Sequence, residues 1–458
     1  MRRQKSNLVN IVLGLVFILI IGGAAFVYFS PLFEKVPAKI VLKSTGYWNL
    51  KDDLTVELSD KSGIRSYKVY YKTNNNIEEI AQNNISAKQD KVIFNIKPIS
   101  LTPNIKKVTI AVEAYDNSFW NFFKGNATYK EFTLDIDRKR PLARVLANSY
   151  NIRRGGSAAV VVEVKDENLK DKYITFNNDY RFELIPYIKE GFYMAIVAWP
   201  IDIKFDQFSR VNLIAVDEAN NKTITKIPFY IKDLKIKNDN LNISDGFVSQ
   251  VSIPVLEKSG YDIPEKTVDI FIKENEDLRA NNVKTIREES VKNMSKELVS
   301  NFRIKPFRRL SGSKTVAGFA ERRSYFYEGE KIDEAWHLGV DWASIKHADI
   351  KVSNKGKVVF SNYLGIYGNS LIIDHGFGLQ TLYAHTSQFN VGKNEEVKAG
   401  QVIANTGSTG AVFGDHLHFG LLVQGIEVNP LEWMDKNWIK TRVSNILDEA
   451  KQEIRSSK

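Results

Sequence analysis

All six histidines of this 458-residue chain, His337, His347, His375, His385, His416 and His418, fall within 82 consecutive residues, and none precedes Trp336. Imidazoles confined to one stretch point to a site that uses several of them together. His416 and His418 stand two apart in a run that continues Phe419-Gly420-Leu421-Leu422-Val423, and on extended chain such positions project from one face. His337 and Asp341 stand four apart with Gly339 between them, so they share a face on a strand and also converge if the chain bends at the glycine. Nitrogen and carboxylate donors of this kind suit Zn2+, and three protein ligands with one open position are what a hydrolytic zinc site requires.

Other chemistries are excluded by composition and motif. The chain has no Cys, which removes a thiolate metal site, a cysteine nucleophile, a disulfide scaffold and a lipid-modified cysteine anchor. No His is followed by Glu, so zinc sites of the HExxH kind are absent, as are GxxxxGK[ST] and GxSxG. The net charge of +10, from 64 Lys and Arg against 54 Asp and Glu, is spread without long basic runs and gives no ground for a nucleic-acid partner.

Four motifs in sequence, His337-x-Gly339-x-Asp341, Ile373-Asp374-His375-Gly376, Thr381-x-Tyr383-Ala384-His385 and His416-Leu417-His418-Phe419, resemble those of the lysostaphin and LytM zinc endopeptidases, peptidase family M23. The filler agrees as well, including Val397-Lys398-Ala399-Gly400-Gln401 and Val428-Asn429-Pro430, and the likeness covers residues 306 to about 435. The resemblance implies a LytM-like antiparallel β metallopeptidase domain holding one zinc on His337, Asp341 and His418, with His385 and His416 as catalytic histidines. His416 is placed to take a proton from water, and His385 to hydrogen-bond the developing oxyanion or pass a proton to the leaving amine; which histidine does which stays open. The implied substrate is a peptide cross-link of peptidoglycan, with D-Ala to meso-diaminopimelate as the bond. The opposing reading is a non-enzymatic LytM-like regulator or scaffold that binds the wall and activates other hydrolases; such proteins usually lack ligands that this chain keeps.

The remaining site-region residues receive structural roles. His375 sits in a hairpin-turn context, His347 follows a lysine in a surface loop, and Tyr383 and Phe419 read as core or groove wall. Asp415 and Gly420 depart from the family pattern, where Pro and Glu are common, and so does the loop Gly410-Ala411-Val412-Phe413-Gly414; these bear on the shape of the groove.

The elements that must carry this site begin with Val9 to Phe29, an apolar run with the ~20 residues a spanning helix needs. Arg2, Arg3 and Lys5 precede it, which orients the amino terminus to the cytoplasm and exports the rest. A cleaved signal peptide fits less well, because the run exceeds the usual apolar region and Ala24-Ala25-Phe26 is a poor cleavage site. The expected location is the inner membrane, single-pass through residues 9–29 after a stub, with the bulk in the periplasm.

Between anchor and catalytic domain, a mainly β chain is expected: two tandem β-sandwich, immunoglobulin-like modules at 38–137 and 141–233. The spacing of 106 residues from Asp60 to Asp166 and of 101 from Asp116 to Asp217 marks the repeat, with Arg138-Lys139-Arg140-Pro141 as the join. Residues 234–305 read as a helical or mixed connector, with helices from Glu265 to Asn282 and Val283 to Leu298. Its polar groups, among them Asp262, Asp269, Glu274, Asn275, Glu276, Asp277, Asn281, Asn282, Glu288 and Glu289, are candidates to cap the metal or block the groove, against the plainer reading of a solvated spacer. The catalytic domain spans 306–436, and the helical tail 437–458 is expected to pack against it. Anchor plus β modules also resembles cell-shape-determining peptidoglycan endopeptidases of helical or curved Gram-negative bacteria, which implies cell-shape or wall-synthesis proteins as partners of the modules.

Overall fold

The computed structural model describes residues 7–73 and 76–456; Arg2, Arg3 and Lys5, invoked for orientation, lie outside the described residues. The chain is mainly β, with an N-terminal apolar helix, Asn7–Phe29. Within it, Asn10–Phe29 is the one helix among the described residues long and apolar enough to cross a membrane. The chain forms two compact units: 1–140 with short stretches 168–170 and 216–222, and the remaining residues.

In the first unit a three-stranded sheet (Lys39–Lys43, Leu54–Ser59, Lys91–Ile96) faces a five-stranded one whose centre is Lys107–Asp116 between Ile64–Thr73 and Ala127–Ile136. Ile40, Val56 and Leu58 from one sheet and Val69, Ile110 and Val112 from the other fill a single core. Leu54–Ser59 alternates buried and half-buried positions, so a period of two drives one face inward.

Two buried carboxylates, Asp116 and Asp217, are each held by an asparagine. Asp116 accepts hydrogen bonds from the Asn126 backbone and side chain at 2.8 Å each. Asp217 does the same with Asn221, at 2.7 and 2.9 Å. Each closes the connection leaving a core strand by satisfying its backbone, as a buried turn demands.

In the second unit, Ser157–Lys165 is buried along nearly its whole length on both faces. The reason lies in the C-terminal helix Asn445–Ser456, which packs on this strand and on Leu142–Asn148, while Trp438 at the start of the tail packs on Trp433 with ring centroids 5.1 Å apart. Arg144 bonds Glu453 at 2.9 Å, and Ser149 Oγ donates to Arg442 O at 2.6 Å. The helix supplies the apolar face, Ile446, Leu447, Ala450 and Ile454, that the strand's outer side needs.

Residues 234–305 do not form a free spacer. Strand Lys237–Asn242 pairs in parallel with Glu321–Tyr327. Helical turns run without a break from 267 to 293, where two helices had been expected; nothing at Asn282-Val283 interrupts the ladder. Val251, Leu256, Phe271, Leu278 and Ile286 share one core with Val359, Ile372 and Leu382. The boundary drawn at 305/306 therefore runs through a common core.

Residues 306–436 are built on an eight-stranded antiparallel sheet in which Val340–Ala343, Leu417–Val423, Leu379–Ala384, Asn369–Asp374 and Gly356–Tyr363 lie side by side. The middle strands are buried on both faces, and their Leu, Ile and Val content follows from that.

Candidate active site

Strand register brings the motif residues together. Asp341 on Val340–Ala343 stands opposite His418 on Leu417–Val423, and His418 in turn stands opposite Ala384, directly before His385. His337 ends the strand Glu330–His337, and the chain turns at Gly339 to start the next. A Cβ on Gly339 would lie 2.5 Å from His418 Nε2 and 2.8 Å from Phe419 O, so this close crossing admits only glycine.

His337 Nε2 lies 3.0 Å from Asp341 Oδ2, His418 Nδ1 lies 2.8 Å from Asp341 Oδ1, and the two nitrogens are 3.2 Å apart. One donor atom from each of the three residues falls within 4.8 Å of the others, and all three side chains are buried. His337 Nδ1–H donates to Gly318 O at 2.7 Å, which turns the Nε2 lone pair toward the cluster. Two imidazole nitrogens and a carboxylate, with one ring fixed by a carbonyl behind it, fit a zinc ion.

The other two histidines flank this cluster. His385 Nδ1–H donates to Thr409 O and His416 Nδ1–H to Gly414 O, both at 2.8 Å. The rings are 4.9 Å apart, His385 is 5.9 Å from the His418 ring, and His416 Nε2 is 4.0 Å from Asp341 Oδ2. His385 is held in the left-handed region at φ 62°, with its N–H on Tyr367 O, a backbone state that non-glycine residues rarely adopt away from constrained sites.

Electrostatics follow from burial and contact. Burial alone would raise the Asp341 carboxyl, but hydrogen bonds from His337 and His418 outweigh it and hold the group ionised, well below the usual carboxylate range. Burial pushes His385 down to about 3, reinforced by His416 and His418, so its ring is neutral with a free Nε2. Burial likewise lowers His418 against the pull of Asp341.

A cavity of 320 Å3 opens over these residues. Phe413 and Tyr367 line it from the catalytic region, and Asn242, Phe247, Phe271, Glu274 and Asn275 from 234–305. Phe247 packs edge-to-face on Phe413 with centroids 5.0 Å apart, and Asn275 Nδ2 donates to Asp333 Oδ2 at 2.6 Å. Of the polar residues considered as metal caps, Glu274 and Asn275 line the groove, while Asn282 accepts a hydrogen bond from the Ile366 backbone. None of the connector's carboxylates joins the three-residue donor cluster among the described residues. Arg323, whose Nη2 lies 3.6 Å from Asp341 Oδ2, was not anticipated; no spacing links it to the motifs, and only strand pairing brings it there.

The histidines given structural roles are elsewhere. His375 bonds Lys355 O at 2.9 Å and Thr381 Oγ1 at 2.8 Å, and burial pushes it down to about 4. His347 is exposed, with Nδ1 on Thr406 O at 3.1 Å. Tyr383 and Phe419 are core residues, their rings 5.5 Å apart. Asp415 accepts from Thr406 Oγ1 at 2.6 Å and from the His347 backbone at 3.1 Å, which anchors the loop ahead of His416.

A His-Asp-His donor set on neighbouring strands, with two imidazoles beside it in an open groove, is an arrangement of the kind metal-assisted hydrolases use. The sequence profile of Peptidase family M23 matches residues 335–430, and the chain carries a domain of that family there. Over 107 residues the chain is 37% identical to the DD-carboxypeptidase/endopeptidase Mpg of Neisseria meningitidis, covering 23% of this chain and 25% of that protein. Over 113 residues it is 40% identical to the murein hydrolase activator NlpD of Escherichia coli, covering 23% and 30%. The chain thus spans about a quarter of the length of the curated relatives it matches. A crystal structure of a putative peptidase M23 from Pseudomonas aeruginosa aligns over 61% of this chain and 93% of its own, at 19% identity and a TM-score of 0.37.

Proposed function

We propose that this protein is a membrane-anchored zinc endopeptidase that hydrolyses peptide cross-links of peptidoglycan, with D-Ala to meso-diaminopimelate as the bond. The observation that carries the reading is the convergence of His337, Asp341 and His418 beside two further imidazoles, each held by its Nδ1 on a backbone carbonyl. A relative named as an endopeptidase, Mpg, supports the reaction class.

Zinc held by His337, Asp341 and His418 supplies Lewis-acid polarisation of the scissile carbonyl and an acidified water. His385 begins as a neutral base because burial holds its ring deprotonated, and His385 and His416 each donate Nδ1–H to a carbonyl that can only accept, which leaves Nε2 for proton transfer. His416, next to Asp341, takes the proton of the attacking water on Nε2. That same proton passes from His416 to His385 Nε2, the two rings lying 4.9 Å apart, and His385 then hydrogen-bonds the oxyanion or delivers it to the leaving amine, which returns both rings to their starting state. Phe247, Glu274 and Asn275 narrow the groove from the connector side and restrain access to it.

In this reading residues 9–29 hold the chain in the inner membrane with its bulk in the periplasm, and the β modules at 38–137 and 141–233 meet wall-synthesis or cell-shape proteins. Relatives named as activators, such as NlpD, favour a second reading, an activator of other wall hydrolases. Incubation of the full chain with purified sacculi, alone and beside a purified amidase, separates the two. The enzyme reading predicts that cross-linked dimers fall and monomers rise with the chain alone; stimulation of the amidase with dimers intact overturns it in favour of the activator.

A further inference from the structure

The first unit exposes an aromatic loop beside the base of the apolar helix. Helix Asn7–Phe29 passes through the turn Pro31–Phe33, and Leu32 O accepts from the Phe119 backbone N–H at 2.6 Å. The Phe33 ring bridges the two segments, 6.2 Å from Phe26 in the helix and 5.9 Å from Phe119 in the loop. Glu34 O accepts from Ser118 Oγ at 2.6 Å and from Asn126 Nδ2 at 2.9 Å, so both ends of the loop are tied to the chain leaving the helix. The tip points outward: Phe122 is 91% and Phe123 68% exposed. Asn121, Phe122 and Phe123 all have left-handed φ, between 54° and 65°, an unfavourable run that no local glycine requires. Lys35 lies 4.4 Å above the Trp120 ring and 5.2 Å from Tyr28, and Lys124 follows the tip.

Bare phenylalanine rings flanked by lysines are unusual on a surface bathed in water, and they are the composition of a bilayer's interfacial zone. The 20 residues of Asn10–Phe29 match the hydrocarbon thickness of a membrane, so Leu32 and the loop bonded to it fall at the headgroup level. We propose that Phe119–Phe123 is a second membrane contact, whose Phe122 and Phe123 rings insert into the outer interface of the bilayer that holds the helix. This rests on the anchored reading given above. It seats the first β module against the lipid surface, with Lys35 and Lys124 facing phosphate groups, and gives the module a fixed footing at the start of the chain.

The chain has no native Cys, so single labels are unambiguous. Full-length Phe122→Cys and Ile20→Cys, each carrying an environment-sensitive fluorophore, are reconstituted into vesicles of phosphatidylethanolamine and phosphatidylglycerol, with and without lipid spin-labelled near the headgroup end of its acyl chain for Phe122→Cys and near the methyl end for Ile20→Cys. The proposal predicts that the spin-labelled lipid reduces the Phe122→Cys signal by roughly twofold or more, as for a side chain at the interface. A Phe122→Cys signal that ignores the spin label while Ile20→Cys is quenched overturns the loop contact and leaves the anchor standing. Ile20→Cys failing to respond overturns the anchor, and the loop proposal with it.

Discussion

His337 Nε2 and His418 Nδ1 point at each other across 3.2 Å, with one oxygen of Asp341 against each. Gly318 O holds His337 Nδ1–H, so Nε2 of that ring faces the Asp341 carboxylate, as the proposed zinc site requires. Ligand loss and catalytic loss are therefore separable. His418→Ala or Asp341→Ala is expected to abolish stoichiometric zinc, and His385→Ala to retain zinc while turnover falls by ~10²-fold or more. Metal analysis by mass spectrometry beside a cleavage assay checks the split; a zinc-poor His385→Ala rejects the assignment.

Gly339 offers a test that leaves every donor in place. A methyl there meets the His418 ring at 2.5 Å and the Phe419 carbonyl at 2.8 Å, and a buried strand has no room to yield. Gly339→Ala is expected to lower zinc occupancy as much as loss of a ligand does, with the fold retained by circular dichroism. Full occupancy in that variant contradicts the geometry.

How much of this was legible in the sequence divides along physical lines. Spacing paired His416 with His418 and His337 with Asp341, while the choice of His337, Asp341 and His418 as the donor set came from the family resemblance and not from spacing. The groove wall was not legible, because Phe247 reaches Phe413 and Asn275 reaches Asp333 through a shared core that no spacing encodes. Arg323 arrives by strand pairing, and the C-terminal helix docks on Ser157–Lys165 because that strand is apolar on both faces. The 101-residue offset between Asp116 and Asp217 was visible, while the asparagine that holds each of these buried carboxylates needed the structure.

Restraint by the connector is testable in the full chain. The Phe247–Phe413 pair is of a kind worth about 0.5–1.5 kcal/mol, so Phe247→Ala is expected to raise cleavage of a soluble muropeptide by roughly 2- to 10-fold if the wall closes the groove. Unchanged or slower cleavage at equal zinc occupancy leaves the connector as a structural part of the domain.

Glu432 supplies a pH prediction. Burial pushes its carboxyl up to about 7, against the hydrogen bond from Ser157 N–H at 3.1 Å. The folded chain thus holds a proton that the unfolded chain, at ~4.3, gives up sooner. Its contribution is fully present below that unfolded value and is lost as pH rises through about 7. Glu432→Gln is expected to flatten the decline in thermal stability between pH 5 and 8 relative to the parent chain; identical pH slopes in melting experiments reject the assignment.

The most direct test of the central claim uses a purified, peptide-cross-linked muropeptide dimer with zinc-loaded full chain and with His385→Ala brought to the same zinc content. Conversion of dimer to monomers, followed by mass spectrometry, is predicted for the parent chain and not for the variant. Dimer left intact by both, or cleaved equally by both, would contradict a zinc endopeptidase built on these residues.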